Sequence, residues 1–176
     1  MRVRPETSAD VPVVRGVVAA AFGGEQVPEL LDALRTSVAW LGLSFVAAQD
    51  GEVIGHVSYT RAWVDAPDRV VDVLVLSPLS VRPDHQRRGV GTALVHQSLE
   101  LLQERDEPVV FLEGDPGYYR RLGWRPAGEW GFTAPSVRIP EAAFQAVRLP
   151  AYDDTVSGAL VYPDVFWRHD CVGLRS

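Results

Sequence analysis

The chain has 176 residues, of which 47% are hydrophobic and 23% are charged, and its formal net charge is −6. These values predict one globular domain over residues 1–176, and the acidic charge argues against a nucleic-acid partner, because such proteins usually carry a basic stripe. No apolar run is long enough to span a bilayer, and the first residues lack the apolar segment of a signal peptide. We therefore expect a cytoplasmic protein with no membrane partner.

The lysine, cysteine and histidine content excludes several types of catalytic and metal site. All 17 basic residues are arginine, which excludes Schiff-base catalysis and a Walker-type phosphate loop, since both need a lysine. The single cysteine, Cys171, excludes an internal disulfide and any site built from several thiolates. The four histidines show no metal-ligand spacing, and we expect no metal. The acidic charge fits a cationic substrate such as an amine.

The N-terminal part predicts a strand and two helices. Residues 2–4 form the strand, and Thr7–Asp10 resembles the capping box that starts a helix. The first helix ends at Gly23, and its apolar face consists of Val14, Val17, Val18, Ala21 and Phe22. A second, short helix follows, and its residues expected to face the core are Leu30, Leu31 and Leu34.

A β-hairpin is predicted next. Ser44–Gln49 is typical of a strand, and Asp50-Gly51 is the strongest short signal for a hairpin turn. Alternate residues of the returning strand share a face. One face is expected to carry Val53, Gly55, Val57 and Tyr59, and the other Ile54, His56, Ser58 and Thr60.

The stretch Val70–Val81 is almost unbroken apolar sequence, which is typical of a central strand buried on both faces. Ser77-Pro78 interrupts it, and proline inside a buried strand indicates a bulge, because it cannot donate to the ladder. A bulge leaves backbone groups free for a ligand. The alternative is a strand that simply ends at Ser77.

A long helix is predicted from Gly89 to Arg105, and the loop before it has the features of a phosphate site. Gly89 and Gly91 allow the backbone to approach an anion, and the helix start offers unpaired N–H groups and a partial positive charge. Arg87 and Arg88 add full charges that suit phosphate oxygens. A pyrophosphate fits this loop; the alternative is a plain helix start with two solvated arginines.

The C-terminal half predicts shorter elements. We expect a strand over Val109–Leu112, a short helix over Pro116–Leu122 ending at Gly123, a helix around Glu141–Val147, and a strand around Ala159–Tyr162. Residues 126–140 carry little local signal.

Three separated blocks resemble the GNAT superfamily of acetyltransferases. Gln86–Gly91 matches the family's Q/R-x-x-G-x-G/A loop, and Leu79–Pro83 before it resembles the end of the family's bulged strand. Glu113–Trp124 is similar to the pattern G-D-P-x-Y-Y-x-R-F-G-F of the family's YhbS-like branch, and Gly158–Phe166 is similar to the block that closes that branch.

The resemblance implies an α/β (α+β) GNAT fold, with a mixed, mostly antiparallel sheet of about six or seven strands, about four flanking helices and a bulge in the fourth strand. It implies acetyl-CoA as co-substrate. The residues expected to bind it are Leu79, Ser80 and Val81 along the pantetheine, Gln86, Arg87, Arg88, Gly89, Val90, Gly91 and Thr92 at the pyrophosphate, and Tyr119 at the sulfur.

The resemblance also implies a catalytic acid. Tyr119 lies four residues before Gly123, where the family has the tyrosine that protonates the coenzyme A sulfur. A phenol has a pKa of about 10, so it carries its proton at neutral pH. Tyr118 is the alternative if the register differs by one, and backbone N–H groups near Leu79–Val81 are expected to polarise the thioester carbonyl.

The general base stays open. Many members of the family carry a glutamate on the strand before the bulge, but the matching positions near Val75 are apolar. The candidates are Asp72, Glu113, Asp115, His56 and His85, and Asp115 before Pro116 also suits a helix N-cap. A water relay or capture of an already neutral amine would need none of them.

The function expected is transfer of an acetyl group from acetyl-CoA to a primary amine of a small molecule. Two alternatives are acetylation of a protein or peptide amine, and a non-catalytic module that binds or senses acyl-CoA. A monomer and a homodimer are both compatible with the sequence.

Overall fold

A computed structural model describes residues 1–173. The chain divides into two compact units, one formed by Met1–Thr60 with Leu76–Leu101, and one formed by Arg61–Val75 with the chain from Leu102 onward. Within residues 1–173, no helix has both the length and the apolar character needed to cross a membrane.

The first unit combines three helices with the strands that precede and follow them. Its elements, in chain order, are β1 (Arg2–Pro5), α1 (Val11–Phe22), α2 (Gln26–Arg35), β2 (Trp40–Gln49), most of β3 (Glu52–Asp65), the end of β4 (Val70–Val81) and α3 (Val90–Leu101). β1 pairs with β2, and β2 with β3, both antiparallel. The turn at Asp50 and Gly51 has φ values of 52° and 86°, which confirms the predicted hairpin.

The second unit begins with the end of β3 and the start of β4. It continues with β5 (Val109–Glu113), α4 (Pro116–Tyr119), β6 (Arg125–Pro126), β7 (Phe132–Thr133), β8 (Phe144–Arg148), β9 (Gly158–Val161) and α5 (Asp164–Arg168). β5 is parallel to β4, at Leu74↔Val110 and Val75↔Phe111, and antiparallel to β8. β8 also pairs with β6, and β9 pairs with β3 and β7.

The mixed, mostly antiparallel sheet with helices confirms the predicted α/β fold class. It has nine strands among the described residues rather than six or seven. The difference comes partly from β6 and β7, which have two residues each and lie where the sequence carried little signal.

Several predicted helix ends are confirmed. Gly23 and Gly123 both adopt the left-handed conformation that ends a helix. The predicted capping box at Thr7 is wrong, because α1 begins at Val11 with Asp10 as its N-cap and no side-chain cap hydrogen bond. The Asp10 carboxylate instead accepts the Thr7 N–H at 2.8 Å and pairs with Arg4 at 2.7 Å. The long helix was predicted to run from Gly89 to Arg105, but α3 ends at Leu101 and is therefore shorter.

The predicted helix around Glu141–Val147 is wrong. A single 3-10 turn over Glu141–Ala143 leads instead into β8, which pairs with β5 along its whole length. The side chains of Phe144 and Ala146 are both buried, and as alternate residues of a strand they share one face.

The predicted faces of β3 need one correction. A register shift opposite Ala47 and Ala48 changes the alternation at Ile54. Val53 therefore joins the core cluster formed with α1, while Gly55 faces α3. β4 continues through a cis Ser77–Pro78 bond to Val81, so the alternative that the strand ends at Ser77 is also wrong. The bulge stays a prediction.

Candidate active site

The first unit carries the predicted phosphate loop at the start of α3. A 3-10 turn over Pro83–His85 follows β4, and the Gln86 side-chain amide donates to the Val81 carbonyl at 3.0 Å. Arg87 and Gly89 have positive φ values of 58° and 83°. The chain thereby turns sharply into a 12-residue helix whose first N–H groups have no acceptor within the helix.

Two arginines on this loop carry free positive charge. Arg87 and Arg88 are exposed, and neither makes an ion pair within the described part of the chain. Arg82 just before them differs, since it is bound by Glu52 at 3.0 Å and Asp84 at 2.6 Å. The loop therefore presents two uncommitted guanidinium groups beside the positive end of a helix, which is an arrangement suited to phosphate oxygens.

Close packing against β3 positions the start of α3. A Cβ on Gly55 would lie 2.9 Å from Leu94 Cδ1 and 3.1 Å from both the Ser80 carbonyl and Val90 Cγ1. The glycine therefore lets helix and strand approach each other. Further along α3, the Tyr59 hydroxyl bonds to the Ser98 hydroxyl at 2.6 Å. The sequence did not single out Gly55 for this role.

The other residues of the first unit that are predicted to bind acetyl-CoA differ in solvent exposure. Leu79 and Val81 are partly exposed at the end of β4, whereas Ser80 is buried and its hydroxyl has no hydrogen-bond partner among residues 1–173. Gly91 and Thr92 are partly exposed in the first turn of α3, and Val90 is buried under it.

The second unit contains Tyr119. The Asp115 carboxylate accepts the Gly117 N–H at 2.8 Å and so caps α4, which confirms the expected N-cap. Tyr119 ends this single helical turn and is 9% exposed. Its ring contacts those of Tyr118 and Trp124 edge-on, with centroids 4.9 and 5.8 Å apart.

The Tyr119 ring packs directly against the backbone of Gly114. A Cβ at Gly114 would lie 2.5 Å from Tyr119 Cε2, so any side chain would displace the ring. The Gly114 N–H donates to the Ala143 carbonyl at 3.0 Å, and its carbonyl accepts the Gln145 side-chain amide at 3.2 Å. Gln145 is 1% exposed and was missed by the sequence analysis, because its segment was predicted to be a helix.

Glu113, one of the candidate bases, ends β5 beside Gly114. Its Oε2 accepts the Gly173 N–H at 2.9 Å and its carboxylate also binds the Tyr162 hydroxyl. Burial raises the pKa of Glu113, although these two hydrogen bonds and the charge of Arg138 act in the opposite direction. The residue as a whole is partly exposed.

The other candidate bases are less suitable. His56 is fully buried and its Nε2 lies 2.8 Å from the Ser44 hydroxyl. Burial, together with the charge of Arg35, lowers the pKa of His56 to about 3, so it is a weak base.

Two further candidates are engaged by charged neighbours on the surface. Asp72 lies 3.4 Å from the Arg61 guanidinium, and His85 Nδ1 lies 3.0 Å from an Asp84 oxygen. Asp115 is committed to its cap. Of the candidates, Glu113 alone is both partly buried and adjacent to the residue that supports Tyr119.

Comparison with known proteins gives concordant results. The family described as acetyltransferase (GNAT) domain matches residues 2–127. The N-acetyltransferase YjhQ of Escherichia coli K12 is 33% identical over 155 residues, covering 85% of each chain. The N-acetyltransferase YhbS of the same strain is 30% identical over 161 residues, covering 90% of this chain and 92% of YhbS.

Two solved structures are similar over nearly the whole chain. YhbS from Escherichia coli in complex with CoA superposes with a TM-score of 0.84 at 27% identity, covering 95% of this chain and 92% of that one. A GNAT family acetyltransferase from Brucella melitensis in complex with acetyl-CoA superposes with a TM-score of 0.75 at 29% identity, covering 94% and 97%.

Proposed function

The chain belongs to the GNAT acetyltransferase family, and from that premise we propose that it transfers an acetyl group from acetyl-CoA to a primary amine of a small molecule. Acetyl-CoA supplies the acetyl group as an activated thioester. The relatives crystallised with CoA and acetyl-CoA support this choice of co-substrate.

The observation that carries the proposal is the start of α3. Its exposed first turn, with Arg87 and Arg88 unpaired in the described part of the chain, fits the pyrophosphate of coenzyme A. Gln86, Gly89, Val90, Gly91 and Thr92 are proposed to complete this contact, with Leu79, Ser80 and Val81 binding the pantetheine. The resemblance of these positions to the family's loop supports each assignment.

Tyr119 is proposed as the acid that protonates the leaving sulfur. Its position four residues before Gly123 supports the assignment, as does the way its ring is fixed between Gly114 and Trp124. A held phenol loses little conformational freedom when it donates its proton, which favours a catalytic role.

The experiment is a measurement of coenzyme A release from acetyl-CoA across a panel of amines that contains polyamines, amino acids, aminoglycosides and short peptides. We expect turnover on one class of small amines. Tyr119→Phe should reduce that turnover by about 10²-fold or more, while the dissociation constant of acetyl-CoA stays unchanged.

Tyr152→Phe serves as a matched control, because Tyr152 lies beside Arg148 away from Gly114 and should not affect turnover. Turnover confined to peptides would indicate a protein amine as acceptor. Unchanged turnover in Tyr119→Phe would contradict the assignment of Tyr119 as the acid. Binding of acetyl-CoA without any turnover would favour a sensing module.

A further inference from the structure

We propose that one buried water joins His56 Nδ1 to the Ser80 hydroxyl, and that this link makes His56 a positioning residue for the end of β4. The inference rests on the proposed function, because the end of β4 is the segment proposed to bind the pantetheine of acetyl-CoA. All the residues that carry the inference belong to the first unit.

His56 and Ser80 are neighbours across the strands β3 and β4. The Arg82 N–H donates to the Ile54 carbonyl at 2.9 Å, and a Cβ on Gly55 would lie 3.1 Å from the Ser80 carbonyl. Residue numbers therefore rise along β3 while they fall along β4, and position 56 lies opposite position 80. Side chains at opposite positions share a face of the sheet, with Cβ atoms about 4.5–5.5 Å apart.

A chain of hydrogen bonds decides which nitrogen of His56 carries the proton. Arg35 pairs with the Glu6 carboxylate at 2.5 Å, and that carboxylate accepts the Ser44 hydroxyl. Since Ser44 gives its only proton to Glu6, its oxygen accepts the Nε2–H of His56, 2.8 Å away. Burial, together with the charge of Arg35, lowers the pKa of His56 to about 3, so the ring is neutral and Nδ1 is a bare acceptor.

The two facing polar atoms are both buried and both lack a partner. His56 and Ser80 are 0% and 2% exposed, and neither Nδ1 nor the serine hydroxyl has a hydrogen-bond partner among residues 1–173. Burying a polar atom without a partner is costly. One water satisfies both atoms, because it donates a hydrogen to Nδ1 and accepts the proton of the Ser80 hydroxyl.

This link connects the end of β4 to a buried ion pair. Through His56 and Ser44, Ser80 is joined to Glu6 and Arg35, whose side chains are 4% and 13% exposed. A segment that is already held in its bound shape loses less conformational freedom when its ligand binds. Loss of the link should therefore weaken acetyl-CoA binding, although no group proposed to contact acetyl-CoA is removed from the backbone.

The test is a double-mutant cycle on the dissociation constant of acetyl-CoA. Ser80→Ala removes the hydroxyl and keeps the backbone groups of β4. His56→Gln keeps an amide N–H near the position of Nε2 for Ser44 and has no acceptor at the position of Nδ1. We expect each change to weaken binding by about tenfold. The double variant should lose no more than about tenfold, because either change alone already breaks the link.

Thr60→Val is the matched control. Its hydroxyl is also buried and without a partner among residues 1–173, and it lies on the same face of β3, four residues beyond His56. This variant should leave the affinity unchanged, and melting temperatures check that all variants fold. Losses that multiply to about 10²-fold in the double variant would overturn the link. Unchanged affinity in both single variants would overturn the positioning role.

Nitrogen-15 NMR of the histidine side chains tests the link without acetyl-CoA. The signals that disappear in His56→Gln belong to His56, and they should show a neutral ring with its proton on Nε2. Ser80→Ala should shift the Nδ1 signal and leave Nε2 in place, whereas Thr60→Val should move neither. A proton on Nδ1, or an Nδ1 signal insensitive to Ser80→Ala, would overturn the link. If the NMR result holds but the unaltered protein binds no acetyl-CoA, the proposed function fails and the positioning role fails with it.

Discussion

A single backbone position controls how the proposed acid is held. The Tyr119 ring occupies the space that a side chain at Gly114 would need, and Gln145 fixes the Gly114 carbonyl from β8. The phenol therefore depends on a glycine five residues earlier and on a strand further along the chain. A small displacement of a catalytic group is costly, since about 1 Å can reduce the rate by about 10²-fold.

We expect Gly114→Ala to lower kcat by up to about 10²-fold while the acetyl-CoA dissociation constant changes little, because the new methyl group pushes the Tyr119 ring away. Steady-state kinetics with calorimetric binding would measure both. Gly128→Ala is the control, since its Cβ would meet only Glu141 Oε1 at 3.8 Å. Normal kcat in Gly114→Ala would contradict the positioning of Tyr119 by this contact.

At the scale of elements, the start of α3 combines several features that favour the binding of an anion. The turn before it places Arg87 at a positive φ of 58°, and the helix provides unpaired N–H groups. Both guanidinium groups are free of carboxylates in the described part of the chain. A charge-assisted hydrogen bond to phosphate contributes about 1.5–3 kcal/mol, which is about tenfold or more in affinity for each contact.

We expect the double variant Arg87→Ala, Arg88→Ala to weaken acetyl-CoA binding by about 10²-fold, since it removes two such contacts. Titration calorimetry would measure the change. Arg2→Ala removes the same type of charge from an exposed position outside the loop and should have little effect. An unchanged affinity in the double variant would place the pyrophosphate elsewhere.

At the scale of the whole molecule, binding of acetyl-CoA should appear as thermal stabilisation. A ligand at about 100 times its dissociation constant adds about 2.7 kcal/mol, which corresponds to a rise in Tm of about 5–11 °C for a chain of this size. Differential scanning fluorimetry would detect it. Acetyl-pantetheine at the same concentration lacks the phosphates and should give a smaller shift; equal shifts would speak against the loop before α3.

Some expectations at this scale stay predictions. They are a single domain over residues 1–176, a cytoplasmic location, and a monomeric or homodimeric state. The family membership and the acetyltransferase activity rest on the comparisons, whereas the acceptor is the subject of the amine panel.

Local features of this protein were readable from the sequence because they depend on neighbouring residues. The hairpin turn at Asp50-Gly51, the cap at Asp115 and the helix end at Gly123 each follow from the conformational preference of a few consecutive residues. The loop Gln86–Gly91 belongs to the same class, since its proposed anion site is the start of one helix.

Tertiary structure decided what depends on residues far apart in the chain. Phe144–Arg148 is a strand because β5 pairs with it, and position 114 has no room for a side chain because the Tyr119 ring packs against it. The differences between Glu113 and the other four candidate bases are differences in burial and in hydrogen-bond partners. Those quantities arise only when distant segments pack together, and no local pattern of residues encodes them.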